Sequence, residues 1–251
     1  MIDLRGRRAL VTGGSRGIGA ATARLLARAG ADVMIGYRSR KADADAVAAE
    51  LRGFGVKAEA RATDIATRDG ADELVRETVH ALGGLDLFVA NAGIWPSEDV
   101  GVADMDDERW SRTMRENLDS VFYTTRAVAR AITDGGRIVL VSSTAGQRGE
   151  SFHADYGASK GAVIAYTKSL AVELASRDIT VNSVAPGWVE TEMCAEPFAD
   201  GGRERVARGI PLGRIASADD IAGPIVFLCS SLARHVTGEI LNVNGGSVLC
   251  G

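Results

Sequence analysis

Short β-prone runs at 8–11, 32–36, 57–62, 85–90, 137–141, 179–184 and 239–243 alternate with helix-patterned stretches along nearly the whole chain. This order of elements restricts the chain to the α/β class, in which helices cover a mostly parallel sheet. The run Leu85 to Ala90 is apolar throughout, as a strand covered on both faces should be. The 251 residues could divide into two small domains, but unbroken alternation without a linker or repeat points to one domain over 1–251. The helical patterns fall at Ala20–Ala29, Lys41–Gly53, 69–81, Asp107–Ile132, Gly161–Ala175 and Ala218–Ser230. The long interruption at 190–213, with Pro197, Gly201, Gly202 and Pro211, has the make-up of a mobile lid.

Charge and cysteine usage exclude several classes. Net charge is −4 and the Lys and Arg residues are scattered, so neither nucleic acid nor an anionic membrane surface is expected as a partner. Cys194, Cys229 and Cys250 are widely spaced, with no His cluster beside them, so no metal site is expected and the thiols read as reduced. The N-terminus lacks an apolar signal region and no apolar run approaches membrane-spanning length. These features lead to the expectation of a soluble, cytoplasmic protein.

The first strand runs into Thr12-Gly13-Gly14-Ser15-Arg16-Gly17-Ile18-Gly19 and then a helix, a context in which a phosphate can sit on a helix N-terminus. A glycine-rich turn without a ligand is the alternative. The second strand ends at Tyr37-Arg38-Ser39-Arg40, where an acidic residue would be expected if a ribose 2′-hydroxyl were held. Arg16, Arg38 and Arg40 instead offer guanidinium groups suited to a 2′-phosphate, or form ordinary solvated surface. Asp64 either contacts an adenine or caps the following helix. Asn91-Ala92-Gly93 would let the backbone approach a ligand closely. Asn117, inside a helical pattern, either faces solvent or breaks the helix locally around a water. Ser143 follows the fifth strand, at the carboxyl end where ligands bind in such sheets.

Tyr156 and Lys160 are four residues apart, which puts them on one face of a helix. A phenol has a pKa of about 10, and lowering it to about 7 takes roughly 4 kcal/mol of preferential stabilisation. A neighbouring lysine and a cationic cofactor would supply it. Chance placement of two such residues on one helix is common.

Taken together, Thr12-Gly13-x-x-x-Gly17-x-Gly19, Asp64, Asn91-Ala92-Gly93, Asn117, Ser143, Tyr156-x-x-x-Lys160 and Pro186-Gly187 with Thr191 resemble the classical short-chain dehydrogenase/reductase family over essentially the whole chain. The resemblance implies a Rossmann-type, doubly wound, seven-stranded parallel sheet with helices on both faces, and hydride transfer between a nicotinamide cofactor and a carbonyl or secondary alcohol. It implies that Tyr156 is the general acid in reduction and the base in oxidation. Ser143 would hold the substrate oxygen, Lys160 would lower the Tyr156 pKa and hold the ribose, and Asn117 would position a water. The cofactor would lie along Gly13, Ser15, Arg16, Gly17, Ile18, Gly19, Tyr37, Arg38, Ser39, Asp64, Ile65, Asn91, Ala92, Gly93, Tyr156, Lys160, Pro186, Gly187, Val189 and Thr191. Family members that use NAD usually carry an acid where this chain has Tyr37, so the expected cofactor is NADP(H).

Substrate is less constrained. Asn91-Ala92-Gly93-Ile94, Ile179-Thr180-Val181-Asn182 and Asn242-Val243-Asn244-Gly245-Gly246 resemble 3-oxoacyl-[acyl-carrier-protein] reductases, but sugar and secondary-alcohol dehydrogenases share much of this. Carrier-protein reductases tend to carry a basic residue where this chain has Val172; Arg130 would supply another basic contact. Gln147, Arg148, Glu150, Phe152 and His153 either hydrogen-bond a polar substrate or form surface loop, while Trp95, Trp188 and Met193 would make an apolar wall. Alternatives from other classes are a non-catalytic dinucleotide sensor and an oligomeric scaffold. The resemblance also implies a homotetramer, with the Asp107–Ile132 and Tyr156–Ala175 helices at one interface and the C-terminal strand at another.

Overall fold

The computed structural model describes residues 2–249; Cys250 lies outside the described residues. Its elements in chain order are β1 (Arg8–Thr12), α1 (Gly17–Arg28), β2 (Asp32–Tyr37), α2 (Lys41–Arg52), β3 (Ala58–Ala62), α3 (Arg68–Leu82) and β4 (Leu87–Ala90). There follow α4 (Asp107–Met114), α5 (Ser120–Ala131), β5 (Arg137–Val141), α6 (Thr144–Arg148), α7 (Ala154–Glu173) and β6 (Thr180–Pro186). The chain closes with α8 (Ala195–Phe198), α9 (Gly202–Arg208), α10 (Ala218–Cys229) and β7 (Ile240–Val243).

The strands form one parallel sheet in the order β3-β2-β1-β4-β5-β6-β7. Alternate residues of each strand point to opposite faces, and both faces are buried. Ala9, Val11, Val33, Ile35, Val89 and Val139 pack with Ala23 and Leu26 of α1, Val47 and Leu51 of α2, and Ile221 and Ile225 of α10. Leu10, Met34, Phe88, Ile138 and Leu140 pack on the other side with Leu74 of α3, Val121 and Val128 of α5, and Val163 and Leu170 of α7. Two covered faces explain why these strands read as nearly continuous apolar runs. The chain winds outward from β1 to β3 and then, from β4, in the opposite direction, which opens a crevice at the carboxyl ends of β1 and β4.

Three local features sharpen the sequence reading. The 107–132 helix is interrupted by a π-helical turn at Arg115–Asp119, centred on Asn117. The active-site helix starts earlier than its apolar pattern, at Ala154, and so carries Tyr156 in its first turn. Segment 190–213, irregular in pattern, contains a 3-10 turn at Glu192–Cys194 and the short helices α8 and α9. Helices of one or two turns show too few residues to display a period. Among the described residues no helix is long and apolar enough to cross a membrane.

Candidate active site

A cleft of about 490 Å³ opens at the carboxyl ends of the strands. Its floor at one end is the turn between β1 and α1. Gly13 and Gly17 have φ of +65° and +53°, in the left-handed region open to glycine. A Cβ on Gly19 would lie 2.3 Å from the Gly13 carbonyl oxygen, so the turn closes tightly only because that side chain is missing. Asn91 locks the turn: its Nδ2 donates to the Thr12 and Gly13 carbonyls at 3.1 and 3.2 Å. The Thr12 hydroxyl accepts from the Asn91 and Ala92 N–H groups at 3.1 and 3.2 Å. Helix α1 begins with no side-chain cap and no acid in its first turn, so its free N–H groups and positive dipole end face the cleft.

Arg16, Arg38 and Arg40 line the far rim of this cleft, where they are neither free nor merely solvated. Arg38 pairs with Glu116, and Glu192 draws Arg16 and Arg40 together, its Oε2 lying 2.8 Å from Arg40 Nη2. Neither glutamate stands out in the sequence; Glu116 acquires its place because it adjoins Asn117 in the π-helical turn. Asp64 lines the cleft and accepts from the Ala66 N–H at 3.1 Å. The cap of α3 is Thr67 rather than Asp64, its hydroxyl accepting from Gly70 N–H at 3.1 Å.

Ser143, Tyr156 and Lys160 converge in the cleft's centre. Ser143 caps α6, accepting from Ala145 N–H at 3.1 Å, and its hydroxyl lies close enough to the Tyr156 phenol to influence its titration. Lys160 Nζ lies 5.8 Å from the centre of the Tyr156 ring and donates to the Val141 carbonyl at 3.0 Å. Asn117 is fully buried rather than solvent-facing. Its Oδ1 accepts from Ile94 N–H at 2.7 Å, and its Nδ2 donates to Ile94 O at 2.9 Å and Ser159 Oγ at 3.1 Å. Ser159 in turn donates to the Tyr156 carbonyl at 2.8 Å, so the π-helical turn ties the Asn91–Trp95 loop to the base of the tyrosine.

Burial dominates the electrostatics of Tyr156 and Lys160. Burial pushes the phenol well above its ordinary value; the Ser143 hydroxyl pulls it down, and the charges of Glu150 and Cys194 push it further up. Burial lowers the Lys160 amine to about 8. Removing both groups from water disfavours both charges.

Comparison with known proteins places this geometry. A family model described as enoyl-(acyl carrier protein) reductase matches residues 13–247. A 3-oxoacyl-[acyl-carrier-protein] reductase of Synechocystis sp. is 40% identical over 99% of this chain and 100% of its own. An L-rhamnose 1-dehydrogenase (NAD(P)(+)) of Azotobacter vinelandii is 40% identical over 94% of each chain. A short chain dehydrogenase from Burkholderia cenocepacia J2315, solved in complex with NADP, superposes with a TM-score of 0.91 at 37% identity over 97% of this chain and 98% of its own. The chain belongs to the short-chain dehydrogenase/reductase family. As a member it is an oxidoreductase that uses a nicotinamide dinucleotide.

Of the residues with which the sequence offered this short-chain dehydrogenase/reductase a substrate contact, some line the cleft and others turn from it. Trp95, Trp188 and Met193 line the cleft, together with Arg148, Glu150 and Cys194. Gln147 turns away, donating from Nε2 to Asn242 Oδ1 on β7 at 2.6 Å. His153 is buried behind Trp95, the rings stacked at 4.8 Å and 15°, and it does not reach the cleft. Gly19 and Asn117 likewise support the cleft from beneath its surface. Cys194, read from sequence only as a reduced thiol, faces the cleft because the 3-10 turn at Glu192–Cys194 folds over it. Among the described residues no group of His, Cys, Asp and Glu could hold a metal ion.

Proposed function

We propose that this protein transfers hydride between NADP(H) and a ketone or secondary alcohol, with Ser143, Tyr156 and Lys160 as catalytic residues. The observation that carries the reading is the convergence of these three side chains in a cleft whose other end holds a glycine turn and three arginines. The residues fit such a cofactor: the Gly13 and Gly19 turn leaves space that a Cβ would fill, and α1 presents an uncapped N-terminus. Arg16, Arg38 and Arg40 suit a 2′-phosphate, since charge-assisted bidentate contacts favour it over a hydroxyl. Gly13, Arg16, Ile18, Asp64, Asn91, Gly93, Pro186 and Thr191 line the path between the two ends.

When bound, the cofactor supplies or accepts the hydride. In reduction, ketone, NADPH and a proton give alcohol and NADP⁺. Ser143 donates to the substrate oxygen, whose charge grows towards the transition state, so the contact helps most there. Tyr156 delivers the proton to that oxygen; burial keeps its phenol protonated, the form an acid needs. Lys160, lowered to about 8, exchanges protons near physiological pH and passes one towards the phenol. Asn117 holds the helix that carries both residues, through Ile94 and Ser159. Segment 190–213, which contributes Glu190, Glu192, Met193 and Cys194 to the cleft wall, acts as its lid.

A small ketone is favoured over a carrier-bound thioester, because Val172 stands 81% exposed on α7 where a basic contact for an acidic carrier is expected. The reading includes a cytoplasmic homotetramer, supported by exposed Trp110, Phe122 and Val172 on α4, α5 and α7, and checked by light scattering. The deciding experiment follows NADPH oxidation over acetoacetyl thioesters, cyclic and aryl ketones, and sugars, with Tyr156→Phe as the control. Oxidation that depends on Tyr156 is expected with one ketone class; its absence throughout overturns the reading.

A further inference from the structure

The proposed reaction leaves one cleft carboxylate without a task. Glu150, half-buried between α6 and α7, lines the cleft near Tyr156 and Cys194, and its charge reaches both. Burial pushes its carboxyl above the usual range, while His153, the Trp95 indole and Arg148 favour the charge and Asp99 opposes it. Glu150 enters no ion pair among the described residues, in contrast to Glu116 and Glu192 at the other end of the cleft.

The walls beside it are aromatic. The Trp95 and Trp188 rings meet edge to face at 81° with centres 5.8 Å apart and make an aromatic corner in the cleft wall. His153 stacked behind Trp95 and Phe198 against Trp188, at 5.7 Å, hold that corner in place. An indole face attracts a cation through its quadrupole, and more strongly where water is excluded. A carboxylate lining the same cleft as such a corner completes the chemistry that recognises an alkylammonium group. An acyl chain would instead bring no countercharge to the half-buried carboxylate and would strip water from it, which is costly. A polyol would need several donors and acceptors for its hydroxyls, whereas the apolar corner would leave some of them unmatched.

We infer that Glu150, Trp95 and Trp188 form a cation subsite, and that the ketone or alcohol turned over here carries an alkylammonium group close to its reacting carbon. The inference rests on the reading that Ser143 and Tyr156 hold the reacting oxygen, since Glu150 is near enough to Tyr156 for one small molecule to span both.

Two measurements test it. The first compares reduction of phenacyltrimethylammonium with that of phenyl neopentyl ketone, which has the same shape and no charge. In the wild type the cation should have the higher kcat/KM by about tenfold or more, the scale of one desolvated cation contact. In Glu150→Gln, which keeps the shape, that ratio should fall to about one, through KM rather than kcat. The second needs no turnover: quenching of Trp95 and Trp188 fluorescence by choline, by its uncharged tert-butyl isostere and by L-rhamnose. Choline should quench at the lowest concentration, and Glu150→Gln should abolish its advantage. Tyr156-dependent reduction of the neutral ketone without any preference for the cation overturns the subsite while the reaction stands. Choline selectivity that depends on Glu150, without reduction of either ketone, keeps the subsite while the reaction falls. Tighter binding of L-rhamnose than of choline overturns the cation assignment in favour of a polyol.

Discussion

Lys160 Nζ donates to the Val141 main-chain carbonyl at 3.0 Å, joining α7 to the carboxyl end of β5. The bond helps hold an amine whose pKa burial lowers from 10.5 to about 8. In that interval the unfolded chain binds more protons than the folded one at this site, so stability contributed here rises with pH from about 8 to 10.5 and is lost below. Lys160→Met should therefore differ most from wild type below pH 8, by on the order of 3 kcal/mol before repacking, with the difference shrinking as pH rises. Paired denaturant titrations across pH 7 to 10 check this, because other titrations, such as that of buried Cys229, cancel between the two proteins.

Tyr156→Phe removes the proposed proton donor and leaves the ring. Its kcat should fall by roughly 10²- to 10⁴-fold, the usual contribution of a positioned acid. NADPH affinity, read from cofactor fluorescence, should change by less than about threefold, since a uniform loss of binding would affect KM instead. Loss of binding with kcat retained would remove the phenol from the reaction.

Arg38→Asp places a carboxylate where the proposed NADP(H) would set its 2′-phosphate, beside Glu116, the present partner of Arg38. The NADPH to NADH ratio of kcat/KM should invert, because a like charge repels the phosphate and accepts from a ribose hydroxyl. Unchanged selectivity would sink the NADP(H) assignment. Glu192→Gln acts in the opposite sense: with no carboxylate competing for Arg16 and Arg40, NADPH should bind several-fold more tightly and NADH should not.

Gly19→Ala tests the turn. The added Cβ would meet the Gly13 carbonyl at 2.3 Å and Asn91 Nδ2 at 2.6 Å, and backbone must move to admit it. The variant should lose cofactor affinity by about tenfold or more and unfold at lower temperature, on the scale of about 1–3 kcal/mol for overpacking. Calorimetry with and without NADPH separates the two effects.

Legibility from sequence varied with the range of the interactions involved. The strands were readable because a doubly covered strand must be apolar on both faces, as in Leu87–Ala90. The glycine turn was readable because Gly13 and Gly17 require positive φ. Tyr156 and Lys160 were readable as a pair because helix geometry alone sets a four-residue spacing. Asn117 was left open between solvent and a helix break, and the structure buries it in a π-helical turn.

Segment 147–153 was not readable. Gln147, Glu150 and His153 fall within seven residues, yet one reaches back to β7, one faces the cleft and one stacks behind Trp95. Their directions are set by partners 95 positions away at Asn242 and on the separate loop of Trp95, which no local pattern encodes. The arginines behave likewise, since Arg16 meets Glu192 across 176 positions and Arg38 meets Glu116 across 78. The sequence by itself determined the class of fold, the turn and the tyrosine–lysine spacing, because those depend on backbone sterics and short-range periodicity. Only the tertiary structure decided which charges meet and which side chains face the cleft, because pairing and burial depend on elements brought together by packing across the sheet.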